Sequence, residues 1–344
     1  MYTATTGAHP IAALRAIARS EALSPEYAGG LTDHAAMAVE ALERLDPDAI
    51  DAFVAAYFPR LHSLDEERDP TLATFRADSE AQRAALDREG LRPLLAARCD
   101  AALGAGLVGA AFHGALRVAH AARALARGDH PVYRAELGRA LAYAALRAEA
   151  LPSLPDAPSG PALTLDEALA ALEPSPDAGT HVPGMITATL LARARAHRTL
   201  GPVTARVRLD DDPARAAHAL REGAVRLLTD GEYHAANHFT LLHGVTGMDA
   251  VCALVALLPR ASAASLLRHA THALLAVRGA YVGALREAPA RSPASDFATL
   301  RRRAVETLND HSIKLAAALL EAEQVESTER HALALEGWLR GRSA

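Results

Sequence analysis

The sequence predicts an all-α fold in which many helices form a single large domain. Half of the 344 residues are hydrophobic but only 4% are aromatic, so the core has to be built from alanine, leucine and valine. Alanine has the highest helix propensity, and this composition favours helix almost throughout. No repeat of fixed period is visible, which argues against a solenoid. A chain of this length also allows two domains, but we predict one domain over residues 1–344.

Proline, glycine and polar stretches separate the helices expected in the first half of the chain. Asp46-Pro47 starts one of them, because proline fits the first helical position. Residues 62–80 are polar and are expected to form a loop, and residues 128–131 a turn. The predicted helices cover residues 11–23, 33–45, 46–59, 81–126 and 132–150.

The second half opens with an irregular, proline-rich segment at 151–183, interrupted by a short helix at 165–172. This segment is either a linker between domains or a lid over one domain. Apolar and polar residues alternate over 203–209, which predicts one strand. The remaining predicted helices cover residues 184–200, 212–228, 239–258, 262–287 and 296–323.

Charge and composition exclude several classes of protein. The net charge of -5 gives no basic surface for nucleic acid. We see no signal peptide and no segment that approaches a charge-free membrane span. Cys99 and Cys252 lie in apolar surroundings, which indicates reduced thiols. We therefore expect a cytoplasmic protein that binds neither nucleic acid nor membranes, whereas its oligomeric state is not predicted.

Lys314 is the residue around which we organise the functional interpretation. It is the only lysine in the chain, and the other 35 basic residues are arginines. A desolvated lysine can lose its proton and react, whereas arginine stays protonated. Lys314 follows His311 by three residues in an apolar helical stretch, so the two side chains share a helix face. The alternative is that replacement of lysine by arginine simply left one behind.

Five histidines lie among small apolar residues, where a buried imidazole needs a partner. For any one of them alone, a hydrogen bond in the core is the main alternative to metal binding. We expect several other histidines to be surface residues: His9, His62, His130, His181 and His331. The five apolar positions are His34, His113, His120, His243 and His311.

Two local motifs give only weak signals. Residues 104–109 match the dinucleotide pattern GxGxxG, but the preceding residues form no strand, so close packing of small residues is the favoured interpretation. His234 and His238 have metal-ligand spacing, but no glutamate follows His234 as the zinc-protease pattern requires.

Four segments of the chain resemble the questin oxidase-like proteins. They span residues 30–320 in the order expected for that family, with Asp33 in place of the asparagine that the family pattern has. The segments are Gly30-Leu-Thr-Asp-His-Ala-Ala-Met, Ala111-Phe-His-Gly-Ala-Leu-Arg-Val-Ala-His, Phe239-Thr-Leu-Leu-His-Gly-Val-Thr-Gly and Asp310-His-Ser-Ile-Lys-Leu.

The resemblance implies an all-helical oxygenase that contains non-heme iron and acts on an aromatic, quinone-like polyketide with dioxygen, by oxygen insertion or carbon–carbon cleavage. NADPH would be an external reductant, since no nucleotide site is visible. The implied iron(II) ligands are His34, His113, His243, His311 and a carboxylated Lys314.

The chemistry of these residues agrees with that ligand set. A neutral lysine adds carbon dioxide to become an anionic carbamate, and imidazoles with one such anion suit iron(II). Asp310, Asp33 and Thr240 are candidate partners for the outer ring nitrogens. His120 is either a substrate-side acid or base or a core residue. A zinc-dependent hydrolase and a non-catalytic helical binding protein are the rival interpretations.

Overall fold

The computed structural model describes residues 8–155, 160–178, 180, 185–287 and 291–341. It confirms the all-α prediction, because these residues form sixteen α-helices and one sheet of two short antiparallel strands, β1 (Glu26–Tyr27) and β2 (Leu31–Thr32). The first eight helices are α1 (Ile11–Ser20), α2 (Ala35–Leu45), α3 (Ile50–Tyr57), α4 (Phe75–Glu89), α5 (Leu91–Arg98), α6 (His113–Arg127), α7 (Pro131–Leu146) and α8 (Leu165–Ala171). The other eight are α9 (Ile186–Ala196), α10 (Leu200–Arg206), α11 (Pro213–Asp230), α12 (His238–Val255), α13 (Arg260–Tyr281), α14 (Phe297–Glu306), α15 (Asp310–Val325) and α16 (Glu329–Gly341).

Several local predictions were wrong. Residues 203–209 do not form a strand, because α10 runs to Arg206 and only Val207 makes a single bridge, to Leu163. The stretch 62–80 is not all loop, since α4 begins at Phe75. The helix expected over 81–126 is broken: after α5 come a π-helical segment, Cys99–Ala105, and an irregular turn.

Four helices form the core that carries the histidines singled out above. α2 packs against α6, α6 against α12, α12 against α15, and α15 against α2, so the four close a ring. Their facing sides are lined with small and branched apolar residues, which explains how a chain with few aromatic residues fills its interior.

A layer of buried charges ties the same four helices together. Glu40 of α2 contacts His120 and Arg123 of α6, and Arg123 also pairs with Asp249 of α12 at 2.9 Å. We call this set, with Arg44 of α2 and Glu321 of α15, the ionic layer. Arg44 pairs with Glu321 at 2.8 Å.

One described helix is long and apolar enough to span a membrane, which the sequence analysis overlooked. It covers residues 235–255, and 78% of its most apolar window is buried inside the protein. Such burial is typical of a core helix, and this segment is the α12 member of the four-helix ring. Cys99 and Cys252 are both free thiols, as expected.

Candidate metal centre

The beginnings of the four ring helices bring four histidines together. His34 immediately precedes α2, His113 is the first residue of α6, and His311 is the second residue of α15. His243 lies between one and two turns into α12. We call these four residues the histidine cluster.

Their rings are in direct contact. The centroid of the His34 ring lies 4.6 Å from those of His113 and His311, and the His243 centroid lies 4.9 Å from His113 and 5.2 Å from His311. One nitrogen each of His34, His113 and His311 lies within 4.8 Å of the others, a spacing that suits a shared metal ion. His243 is the outer member of the cluster.

Each Nδ1 atom of the cluster faces an oxygen acceptor. His34 and His311 both donate from Nδ1–H to the same carboxylate oxygen of Asp310. The distance from His311 Nδ1 to this oxygen is 2.7 Å. Nδ1–H of His113 donates to the carbonyl of Ala110 at 2.5 Å, and that of His243 to the carbonyl of Phe239 at 2.7 Å. Because an acceptor fixes the proton on Nδ1, the Nε2 atom of each neutral ring keeps its lone pair.

Burial keeps three of these rings neutral. Removal from water lowers the pKa of His34, His113 and His243 well below the usual value, and the charges of neighbouring rings and of Lys314 lower it further. Nε2 of His34 lies 2.7 Å from Nε2 of His113. Nε2 of His243 is buried and forms no hydrogen bond within the described part of the chain.

Lys314 is buried beside the cluster. It is 2% exposed, and its Nζ atom forms no hydrogen bond to any residue that the structure describes. Burial lowers the pKa of Lys314 to about 8, although Asp310 and Asp33 oppose the shift. About one tenth of the amine is therefore neutral and nucleophilic at pH 7, far more than for an exposed lysine.

A strained turn precedes His113. Ala110, Ala111 and Phe112 all have left-handed backbone angles, with φ of 45°, 55° and 70°, and each such residue costs roughly 1–2 kcal/mol. Thr187 of α9 holds the turn: its hydroxyl accepts from the Ala111 N–H at 2.7 Å and donates to the Val108 carbonyl at 3.1 Å.

Aromatic residues cover one side of the cluster. The Phe239 ring lies 4.6 Å from the His243 ring and 4.7 Å from the His311 ring, and Phe239 is 41% exposed. The Trp338 ring lies 6.3 Å from His311. Phe239 therefore forms an apolar, solvent-facing wall next to the candidate ligands.

The structure does not bring His120 to the cluster. Its Nδ1–H donates to Glu40 at 2.6 Å within the ionic layer. Burial lowers the pKa of His120 to about 4, against the attraction of Glu40.

Of the candidate orienting residues, Asp310 contacts the cluster, whereas an Asp33 oxygen accepts from the Ala35 N–H at the start of α2.

The other motifs have structural explanations. Gly104 lies in the π-helical segment against His269 of α13, and helix α5 rather than a strand leads directly into that segment. His234 bonds the backbone of Ala236 and is exposed, while His238 packs on Trp338, so the pair forms no shared face. His331 was expected at the surface but is fully buried, and His9 is nearly so, because each meets a carboxylate from a remote segment. His181 lies outside the described residues.

Two features of the site were missed by the sequence analysis. The main-chain carbonyls that orient His113 and His243 have no sequence signal, and Thr187 lies far along the chain from the turn that it holds. Comparison with known families finds none that matches the chain, and no curated protein is similar to it.

Proposed function

We propose that this protein binds one iron(II) ion through the histidine cluster and Lys314 and oxidises an aromatic, quinone-like polyketide with dioxygen. The observation that carries the proposal is the contact between Nε2 of His34 and Nε2 of His113. Both Nδ1 atoms donate to oxygen, so two lone pairs meet at 2.7 Å. Two lone pairs repel at this distance unless a proton or a cation lies between them, and burial disfavours the proton.

The donor set fits a divalent metal. Imidazole nitrogens bind such ions at about 2.1 Å, so two ligands at right angles are about 3 Å apart, close to the 2.7 Å found between His34 and His113. The buried Nε2 of His243 and Nζ of Lys314, without hydrogen-bond partners among the described residues, are two further donors.

A carboxylated Lys314 would supply the negative charge that four imidazoles lack. The neutral amine attacks carbon dioxide, a nitrogen–carbon bond forms, and one amine proton is released, which leaves a carbamate with one negative charge. Arginine cannot take part in this reaction, because it stays protonated. Imidazole and carboxylate-type ligands suit iron(II), and five donors leave one position of an octahedron open.

The surrounding backbone favours anions at the same place. Helix N-termini carry partial positive charge, and α2, α6 and α15 all begin at the cluster. This field stabilises the carbamate and the Asp310 carboxylate, and it would favour an acidic phenol or enol of a substrate in its anionic form.

Bound iron(II) would supply the electrons that activate dioxygen. Insertion of one oxygen atom requires two electrons and two protons from an external reductant such as NADPH and releases one water. Cleavage of a carbon–carbon bond with incorporation of both oxygen atoms requires no reductant. The substrate class rests on the resemblance of the four short segments to questin oxidase-like proteins, and the exposed face of Phe239 offers a surface for a planar ring.

The test of this proposal is metal binding by Lys314 variants. We expect stoichiometric iron in the protein purified without oxygen, and a loss of iron affinity in Lys314→Ala that exceeds the roughly 10–100-fold cost of losing an outer partner. A short carboxylate such as propionate should restore binding to Lys314→Ala, because it replaces the carbamate. It should not restore Lys314→Arg, whose guanidinium fills the space.

Circular dichroism spectra of both variants serve as the control for folding. Stoichiometric zinc that iron cannot replace would contradict the proposal in favour of a zinc-dependent hydrolase. A Lys314→Arg variant that binds metal like the wild type would exclude the carbamate.

A further inference from the structure

A cavity lies beside His238, whose ring contacts Trp338 at 5.7 Å. This cavity of about 180 Å³ opens between α11, α16 and the segment after α13. Its lining combines apolar side chains with two arginines and a histidine. The lining residues are Leu228, Thr229, Tyr233, His238, Arg286, Arg291, Leu333, Ala334 and Gly337.

The cavity has the size of one aromatic ring, since cavities of about 150 Å³ bind benzene. Gly337 keeps it open: a Cβ atom built there would come within 3.8 Å of the His238 ring, so any larger side chain would enter the cavity. The rings of Tyr233 and His238 lie 6.0 Å apart and offer aromatic surface at its wall.

The polar lining of the cavity carries positive charge. Arg286 has no carboxylate within ion-pair distance among the described residues, and its one described side-chain bond reaches the Thr229 carbonyl at 3.5 Å. Arg291 pairs with Glu336 at 2.7 Å, but Glu336 also neutralises Arg340, so this trio keeps one net positive charge.

His238 adds a directional group. Its imidazole is half-buried in the cavity wall and forms no hydrogen bond within the described ranges of the chain. An imidazole in this position can donate a hydrogen bond to a ligand. A ring-sized space lined by apolar side chains, two arginines and one such imidazole matches an aromatic carboxylate.

We propose that this cavity binds a single-ring aromatic carboxylate, or the acidic end ring of a larger molecule. The bound ring would lie one aromatic layer from the histidine cluster, because Trp338 contacts both His238, at 5.7 Å, and His311, at 6.3 Å. Binding of this ligand does not depend on the proposed iron-dependent function. Only the idea that the ligand is a substrate would rest on that function.

Trp338 is the only tryptophan in the chain and provides the measurement. Benzoate titrated into the chelator-treated protein should change its fluorescence saturably, with calorimetry as a second measurement. Benzamide, the neutral analogue, should bind about tenfold more weakly, because it lacks a charge-assisted bond. Gly337→Leu should abolish binding without loss of fold, since leucine is the better helix former.

Arg286→Gln should weaken benzoate but not benzamide, whereas Arg92→Gln, an exposed arginine of α5, is the matched control. Equal binding of benzoate and benzamide would overturn the proposal, as would the absence of any saturable signal, or equal effects of the two arginine variants. Because the titration uses metal-free protein, its failure is distinct from failure of the iron proposal.

Discussion

Asp310 orients two of the four rings of the candidate metal centre. Burial alone would raise the pKa of Asp310, but His34 and His311 outweigh burial and hold this pKa far below its usual range. The carboxylate therefore stays ionised at neutral pH and keeps a proton on Nδ1 of both histidines. Outer partners of this kind set ring orientation and strengthen histidine ligands, so the position of one aspartate determines the direction of two Nε2 lone pairs.

His331 gives a prediction about pH. This residue of α16 lies between Glu323 of α15, at 2.7 Å, and Glu222 of α11, at 3.1 Å. Burial would lower its pKa, but the two carboxylates outweigh burial and raise the pKa above 6.5. The stabilisation from charged His331 is thus fully present below the unfolded-state pKa and is lost as the pH rises through the higher folded-state pKa.

We therefore expect the free energy of unfolding of the wild type to be higher than that of His331→Gln. The difference should be largest near pH 6 and should shrink as the pH rises. Urea denaturation of both proteins from pH 6 to 9 measures this difference. The contributions of other titrating groups are the same in both proteins and cancel when the two free energies are subtracted. A difference that is constant or grows with pH would contradict this assignment.

Single residues were predictable where their chemistry was unusual for the composition. The lone Lys314 and the histidines among alanines pointed to one location, and the structure does bring His34, His113, His243 and His311 into contact with one another. His331 was misjudged because its sequence neighbours are polar, whereas its carboxylate partner Glu222 is over a hundred residues away.

At the scale of elements, two helix breaks form the site: the turn before His113, and the break before α15, which was not predicted. Propensity predicted a nearly unbroken helical stretch over 81–126, punctuated by Gly90, Pro93 and several glycines, and a helix over 296–323. The structure interrupts the second at Leu308, which is left-handed, and Asn309 then caps α15. Helix propensities summed along the sequence cannot reveal such breaks. Tertiary contacts maintain the non-helical backbone there, although alanine and leucine favour helix.

The turn before His113 leads to a prediction for Thr187. Close packing maintains this turn: a Cβ atom on Gly109 would lie 1.8 Å from the Arg147 carbonyl, and one on Gly247 would lie 2.8 Å from the Phe112 ring. The Thr187 hydroxyl makes two hydrogen bonds to the same turn. Thr187→Val should let the turn relax, move the Ala110 carbonyl off His113, and lower cobalt(II) or iron(II) affinity about 10–100-fold.

Thr271→Val is the matched control. Thr271 of α13 is equally buried, but its hydroxyl makes an ordinary helical bond to the Leu267 carbonyl at 2.8 Å. Both variants should lose similar stability in thermal melts, while only Thr187→Val should change the cobalt(II) absorption spectrum. Equal metal affinities in the two variants would show that Thr187 has no positioning role.

At the scale of the whole molecule, the four ring helices run from the candidate metal centre toward the ionic layer. Arg44 and Glu321 pair with each other, and each lies ten residues after its cluster histidine, His34 or His311. Ten residues of helix span about 15 Å, so α2 and α15 run in the same direction between two cross-linked layers. The sequence indicated the helices and the histidines. It did not indicate that helices from remote segments pack in parallel, because nothing in the sequence of the connecting helices shows how they return the chain to the start of the next ring helix.

This arrangement would couple the proposed metal binding to the stability of the whole fold, because the proposed ligands come from segments spread over residues 34 to 314. Removal of metal with a chelator should lower the melting temperature. Free metal at 100 times its Kd stabilises the native state by about 2.7 kcal/mol, which corresponds to a shift of several degrees. Differential scanning calorimetry with and without iron(II) under anaerobic conditions measures the shift, and Lys314→Ala should show almost none.

His331→Gln is the control, because it is remote from the cluster. It should lower the melting temperature both with and without iron(II) but leave the shift caused by iron(II) unchanged, because distant sites contribute additively. A shift that persists in Lys314→Ala would locate the metal elsewhere in the protein.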